Sequence, residues 1–175
     1  MPNNLPQRKT IRLPGYDYTA FGYYFITICV QNREMYFENN DVKQITEYYW
    51  RQIPNHFQNT KLDEFIIMPN HLHGIIIIRR GGVTPPATNG SGNPTPTLGQ
   101  IIGYFKYQST KQINIVLKNP PGQKLWQRNY YEHIIRNDES LNRIREYIQT
   151  NPENWNTDRN NPRNFKNKNL ATAGG

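Results

Sequence analysis

The stretch LDEFIIMPNHLHGIIII, residues 62–78, decides the fold. Two runs of branched aliphatic and aromatic residues, each of strand length, are separated only by Pro69 and Asn70. Proline presets one turn dihedral and asparagine tolerates turn geometry, so the two runs are expected to close into an antiparallel hairpin. Working back from the hairpin, YYFITICVQ at 23–31 is dense in aromatic and β-branched residues and free of Gly and Pro, which reads as a buried strand. Between that strand and the hairpin lies VKQITEYYWRQI, where Val42, Ile45, Tyr49 and Ile53 repeat at helical spacing. Asn40 and Asp41 offer caps for this helix, and Pro54 marks its expected end. Working forward, LGQIIGYFKYQSTKQINIVL puts Leu98, Ile101, Ile102, Phe105 and Ile113 on one helical face. A Pro-Pro-Gly break follows, then the strand-like WQRNYYEHIIR, then cap residues at Asn137–Ser140 before a third helix, LNRIREYIQTN, closed by Pro152. The first six elements follow a ferredoxin-like β-α-β-β-α-β plan. The fold class is therefore α+β, with two helices packed on one face of the sheet and a further helix at the C-terminal end.

Composition bounds what such a chain can do. It has 175 residues, 35% hydrophobic and 13% aromatic, which is one domain's worth of sequence. Cys29 is its single cysteine, so no disulfide framework and no four-cysteine zinc site is possible within the chain. No apolar stretch approaches the roughly 20 residues of a membrane span, and the N-terminus lacks a secretory apolar segment, which predicts a soluble, cytoplasmic protein without a membrane partner. Lys and Arg total 21 against 13 Asp and Glu, a net charge of +8, and the resulting positive field favours phosphate-bearing partners. Residues 1–22 read as a basic arm carrying Arg8, Lys9 and Arg12, and residues 23–153 read as the folded domain. Residues 81–97, which contain four Gly, four Pro and four Thr and no charge, read as a mobile loop. The Asn-rich residues 154–175 are expected to be largely disordered.

Two constellations carry chemistry. His71 and His73 stand two apart at the start of a strand, so both imidazoles project from one face and can converge on one ion. Tyr147 and Asn151 stand four apart on the third helix, which places a phenol and an amide oxygen on one helical face. A zinc hydrolase built on H-x-H also needs a third histidine or a carboxylate, for which the sequence offers no evident motif. A module that recognises nucleic-acid hairpins but does not cut them is the other alternative, disfavoured because every candidate catalytic residue is present.

Five stretches together resemble a known family: RLPGYDY at 12–18, YYFITICVQNR at 23–33, FIIMPNHLHGIIII at 65–78, WQRNYYEHIIRN at 126–137 and REYIQTNP at 145–152. They are similar to the HUH single-strand transposases with one catalytic tyrosine, and within them to the REP-associated tyrosine transposases. The resemblance implies a ferredoxin-like sheet, a histidine pair that holds Mg²⁺ or Mn²⁺, and a tyrosine that attacks DNA. It maps the metal-binding pair onto His71 and His73, the nucleophile onto Tyr147 and a third protein ligand onto Asn151. Tyr130 and Tyr131 are rival nucleophiles, but they lie on an expected strand with no polar residue following at helical spacing. The implied substrate is single-stranded DNA bearing a short hairpin of the repetitive extragenic palindromic type, cut and rejoined through a 5′-phosphotyrosine in the bacterial nucleoid. Arg8, Lys9, Arg12, Lys106, Lys111, Arg128 and Arg136 are the candidate DNA contacts, and the REP-associated group implies a monomer, with a dimer as the alternative. Glu132 and His133 fall in a matching motif without an assigned role, and His56 is expected to be structural or exposed.

Overall fold

The structure, a computed structural model, describes residues 15, 17, 18, 20–79, 95–158 and 160–164. Its elements are β1 (Gly22–Cys29), α1 (Asn40–Arg51), the short α2 (Ile53–His56), β2 (Thr60–Met68), β3 (His71–Ile78), α3 (Leu98–Val116), β4 (Tyr131–Ile135) and α4 (Asp138–Thr150). One four-stranded sheet runs in the order β2-β3-β1-β4, every neighbouring pair antiparallel. That is the strand order the ferredoxin-like plan requires. The hairpin forms as the Pro-Asn pair predicts, with Met68 opposite His71 and only Pro69 and Asn70 between them.

Side-chain alternation sorts the strands into two cores. Tyr24, Ile26 and Ile28 of β1 and Leu72, Ile76 and Ile78 of β3 face α1 and α3, packing with Val42, Trp50, Leu98, Ile101 and Phe105. The intervening positions, Phe25 of β1 and Ile75 of β3, face the other way and pack with Ile135, Leu141 and Ile148 under α4. Every residue of β3 is buried. A central strand covered on both faces needs apolar side chains at nearly every position, which is why HLHGIIII lacks the alternation of a half-exposed strand.

The caps explain where the helices begin. Asn39 accepts from the amides of Asp41 and Val42 at the start of α1, one residue before the expected caps. Thr97 and Gln100 form a reciprocal capping box for α3, and Asn137 accepts from the amide of Ser140 at α4. Pro54 does not end the first helix as expected. That helix stops at Arg51, and Pro54 sits in the first turn of α2, where its missing N–H costs nothing. Two strand ends also differ from expectation. Gln31–Arg33 form a 3₁₀ turn instead of extending β1, and β4 starts only at Tyr131, leaving Trp126 in a single bridge to Val30.

The residues following α4 depart from the expected disorder where they are described. Trp155–Thr157 form a 3₁₀ turn, and Asn160 and Asn161 are buried. Asparagine side chains hold this segment through local turns: Asn161 Nδ2 donates to the carbonyl of Trp155, and Asn164 Nδ2 to those of Asn156 and Asp158. The expected loop at 81–97 lies outside the described residues except for 95–97, as does most of the arm at 1–22.

At Gly74 the sheet packs closely against helix α1. A Cβ there would stand 2.5 Å from Cζ2 of the fully buried Trp50. Gly74→Ala is therefore expected to lower stability by about 1–3 kcal/mol, the usual cost of overpacking, read as a lowered melting temperature.

Candidate metal centre and nucleophile

The site lies on the α4 face of the sheet, at the hairpin end of β3. The two-residue period turns His71 and His73 to that face, and both are buried, with relative exposures of 0% and 2%. Their Nε2 atoms stand 3.0 Å apart. Asn70 places a hydrogen on Nδ1 of His71. Its Nδ2 donates to the carbonyls of Arg33 and Asn160, so its Oδ1, 2.8 Å from His71 Nδ1, is an acceptor and the imidazole is the donor. A neutral His71 then presents a bare lone pair on Nε2. His73 Nδ1 lies 2.8 Å from the hydroxyl of Thr27 on β1, which likewise leaves its Nε2 facing His71.

Two imidazole nitrogens this close need a proton or a cation between them, because two facing lone pairs would repel each other. Two donors about 2.1 Å from an ion, on adjacent corners of an octahedron, lie about 3.0 Å apart, so the spacing fits a shared divalent ion. A carboxylate completes the donor set: Asp158 Oδ2 lies 3.7 Å from His71 Nε2, and His71, His73 and Asp158 offer ligand atoms within 4.8 Å of one another. Asp158 is held by its own segment, its Oδ1 accepting from the amide of Asn160. Asn160 is held in turn, its Oδ1 accepting from Arg33 Nη1 at 2.6 Å. Asn32 and Arg33 both adopt positive φ, a tight reversal within the turn that leads the chain away from β1.

The phenolic oxygen of Tyr147 lies 3.3 Å from His73 Nε2. Its ring meets Phe25 edge-on at 6.0 Å, and Phe25 is stacked on His73 at 5.5 Å, so three rings fix the phenol beside the histidine pair. The residue is 46% exposed, unlike the buried histidine pair. Asn151, one turn further along, is buried, and its Oδ1 has no hydrogen-bond partner among the described residues. A buried amide oxygen without a donor is costly, and an ion is one means of satisfying it.

Helix α4 is fastened to the sheet by Arg145, which grips Asp63 of β2 with two nitrogens at 3.0 and 2.6 Å. The guanidinium holds the Asp63 carboxyl below its ordinary range. A carboxylate so shifted contributes stability above the usual carboxylate pKa and loses it as pH falls through its folded value, so this fastening should fail only below about pH 4. Arg145→Ala is expected to cost about 1 kcal/mol at neutral pH, with no measurable cost in acid, read by denaturant melts at both pH values.

The other candidate residues divide. Arg128, Arg136 and Lys111 are exposed. Lys106 is not a free phosphate contact, because its ammonium donates to the carbonyls of Gln127, Arg128 and Asn129 and lies over the ring of Tyr130. Burial lowers its pKa to about 8. Arg8, Lys9 and Arg12 lie outside the described residues. Tyr131 is exposed on β4, its ring edge-on to Phe25, whereas the Tyr147 hydroxyl lies 3.3 Å from a histidine nitrogen. His56 stacks on Tyr104 at 3.9 Å, away from the site, as expected of a structural or exposed residue. Asp158 is the functional candidate that sequence reasoning missed, and it supplies the carboxylate for which no motif was evident.

No family model matches the chain. It is 42% identical over 167 residues to an uncharacterised protein of Haemophilus influenzae, covering 86% of this chain and 91% of that one, so the two belong to one family. A second protein of that organism, named "Putative REP-associated tyrosine transposase", is 27% identical over 143 residues, covering 78% of this chain and 73% of that one. A solved structure of a REP-associated tyrosine transposase bound to a REP hairpin superposes with a TM-score of 0.59 at 18% identity, covering 81% of this chain and 72% of that one, a likeness of fold. The chain belongs to the family of the 42% identical Haemophilus protein and is a relative of the REP-associated tyrosine transposases.

Proposed function

We propose that the chain is a metal-dependent single-stranded DNA transposase or endonuclease that cuts and rejoins strands at REP-like hairpins through a 5′-phosphotyrosine at Tyr147. One observation carries this reading: a half-exposed phenol stands 3.3 Å from one of two buried imidazole nitrogens that are themselves 3.0 Å apart. The named relative, and the neighbour's bound hairpin, support hairpin DNA as the substrate class.

His71 and His73 would hold the ion through Nε2, with Asp158 Oδ2 and Asn151 Oδ1 as the oxygen donors. Mg²⁺ or Mn²⁺ bound there supplies positive charge to a non-bridging oxygen of the scissile phosphate. Tyr147 Oη forms the bond to phosphorus while the bond from phosphorus to the 3′ oxygen breaks. The phenol, with an ordinary pKa near 10, gives up its proton in the attack, and the departing 3′ oxygen gains one, so the proton count closes. The phosphotyrosine keeps the phosphodiester linkage, and the reverse attack by a 3′-hydroxyl rejoins DNA. Phe25 and His73 fix the phenol ring throughout, and Arg145 holds its helix to the sheet.

The test is incubation with Mn²⁺ and single-stranded hairpin DNA labelled at either end, followed by denaturing electrophoresis. The proposal expects the 3′-side fragment to be carried on the protein and the 5′-side fragment to be free with a 3′-hydroxyl. Tight hairpin binding with no cleavage under Mg²⁺ or Mn²⁺ would favour the binding module. Cleavage with no adduct, dependent on Zn²⁺, would favour a hydrolase.

A further inference from the structure

We infer that the open face of β4 beside Tyr147 is a stacking platform for unpaired bases flanking the cut, with Tyr131 as its first ring and His133 as its second. The inference rests on the cleavage reading above for the identity of the strand. Helix α4 is fastened to β2, the edge strand opposite β4, through the Arg145–Asp63 pair. The α4 face of β4 is consequently left uncovered toward its hairpin-side end. Tyr131 pairs with Thr27 and His133 with Phe25, which puts both rings on the face that carries Tyr147. Both are exposed, Tyr131 by 47%. Residues two apart on a strand lie about 7 Å from each other, so the two rings are successive steps along one surface.

The position relative to the nucleophile is close. Tyr131 meets the ring of Phe25 edge-on at 6.4 Å, and Phe25 meets Tyr147 edge-on at 6.0 Å, so a single ring separates the platform from the phenol. His133 also borders a groove of about 430 Å³ at the edge of β4, lined by residues of both faces of the strand, Glu132 among them, and by Arg136, Asn137, Ser140 and Arg143. Two guanidiniums there suit phosphate, and exposed rings suit bases, a combination that fits an extended single strand better than an apolar peptide or a duplex. The acidic groups nearby do not close it. Glu132 also lines this groove, but both its carboxylate oxygens are buried, and Glu139 lies 3.7 Å from Arg143 with both side chains mostly exposed.

The test uses Tyr147→Phe as background, so that binding is read without chemistry. Hairpin strands carrying an abasic site at each unpaired flanking position in turn are titrated by fluorescence anisotropy. Tyr131→Ala should weaken binding of the intact strand roughly ten- to one-hundredfold, whereas Tyr131→Phe, which keeps the ring, should stay within about twofold. One abasic position should weaken the background protein by a similar factor and leave it indistinguishable from its Tyr131→Ala form. Unchanged affinity in Tyr131→Ala, or a loss that persists undiminished with every abasic strand, would overturn the platform. The two readings fail separately. A wild-type adduct with no Tyr131 effect on binding removes the platform alone, and ring-dependent binding with no wild-type adduct removes cleavage alone.

Discussion

Tyr147→Phe is expected to lower the rate of covalent joining to hairpin DNA by at least about a thousandfold, because the attacking oxygen is removed while everything that orients the substrate remains. The ring of Tyr147 makes the contacts to Phe25 and His73, and phenylalanine keeps them. The variant should therefore melt within about 0.5 kcal/mol of wild type and bind the same strands with the same affinity. Quench-flow or gel time courses under saturating Mn²⁺, beside a thermal melt, separate loss of chemistry from loss of fold. Tyr131→Phe in the same assay should join DNA at close to the wild-type rate.

His71→Ala should reduce Mn²⁺ affinity by at least about a hundredfold, measured by titration calorimetry on the full chain, since it removes a nitrogen donor from a site with few others. Asn70→Ala is the more discriminating variant. Asn70 reaches no ion, but it fixes the His71 ring and its tautomer, and loss of such a support typically costs 10–100-fold in metal affinity. Asp158→Asn should weaken Mn²⁺ binding as well, because the carboxylate lies within the same cluster of donor atoms. If the histidine pair were merely structural, none of the three variants would change a metal titration.

How much of this was legible in the sequence follows from the range of each interaction. The hairpin, the shared face of His71 and His73, and the capped helix bearing Tyr147 all depend on residues within a few positions of one another. Period-two and helical spacing suffice for them. The contribution of Asp158 is of another kind. It depends on a segment whose Asn-rich composition resembles disorder, yet which is tied to the body by Asn160 to Arg33 and to Asn70, contacts spanning 127 and 90 positions. Nothing local announces such ties. Lys106 illustrates the same limit, since whether its ammonium meets phosphate or three carbonyls depends on the path of residues 127–129. Trp50 shows it in the core: its helix was visible in Val42, Ile45, Tyr49 and Ile53, but its dependence on a glycine at 74 exists only once α1 lies on β3.

The measurement that bears most directly on the central claim is mass spectrometry of the nuclease-trimmed protein after reaction with hairpin DNA and Mn²⁺. The account predicts a 5′-linked nucleotide on the phenolic oxygen of Tyr147, within the peptide that contains Glu146 and Ile148. Attachment at Tyr130 or Tyr131, or cleaved DNA with every tyrosine unmodified, would contradict it.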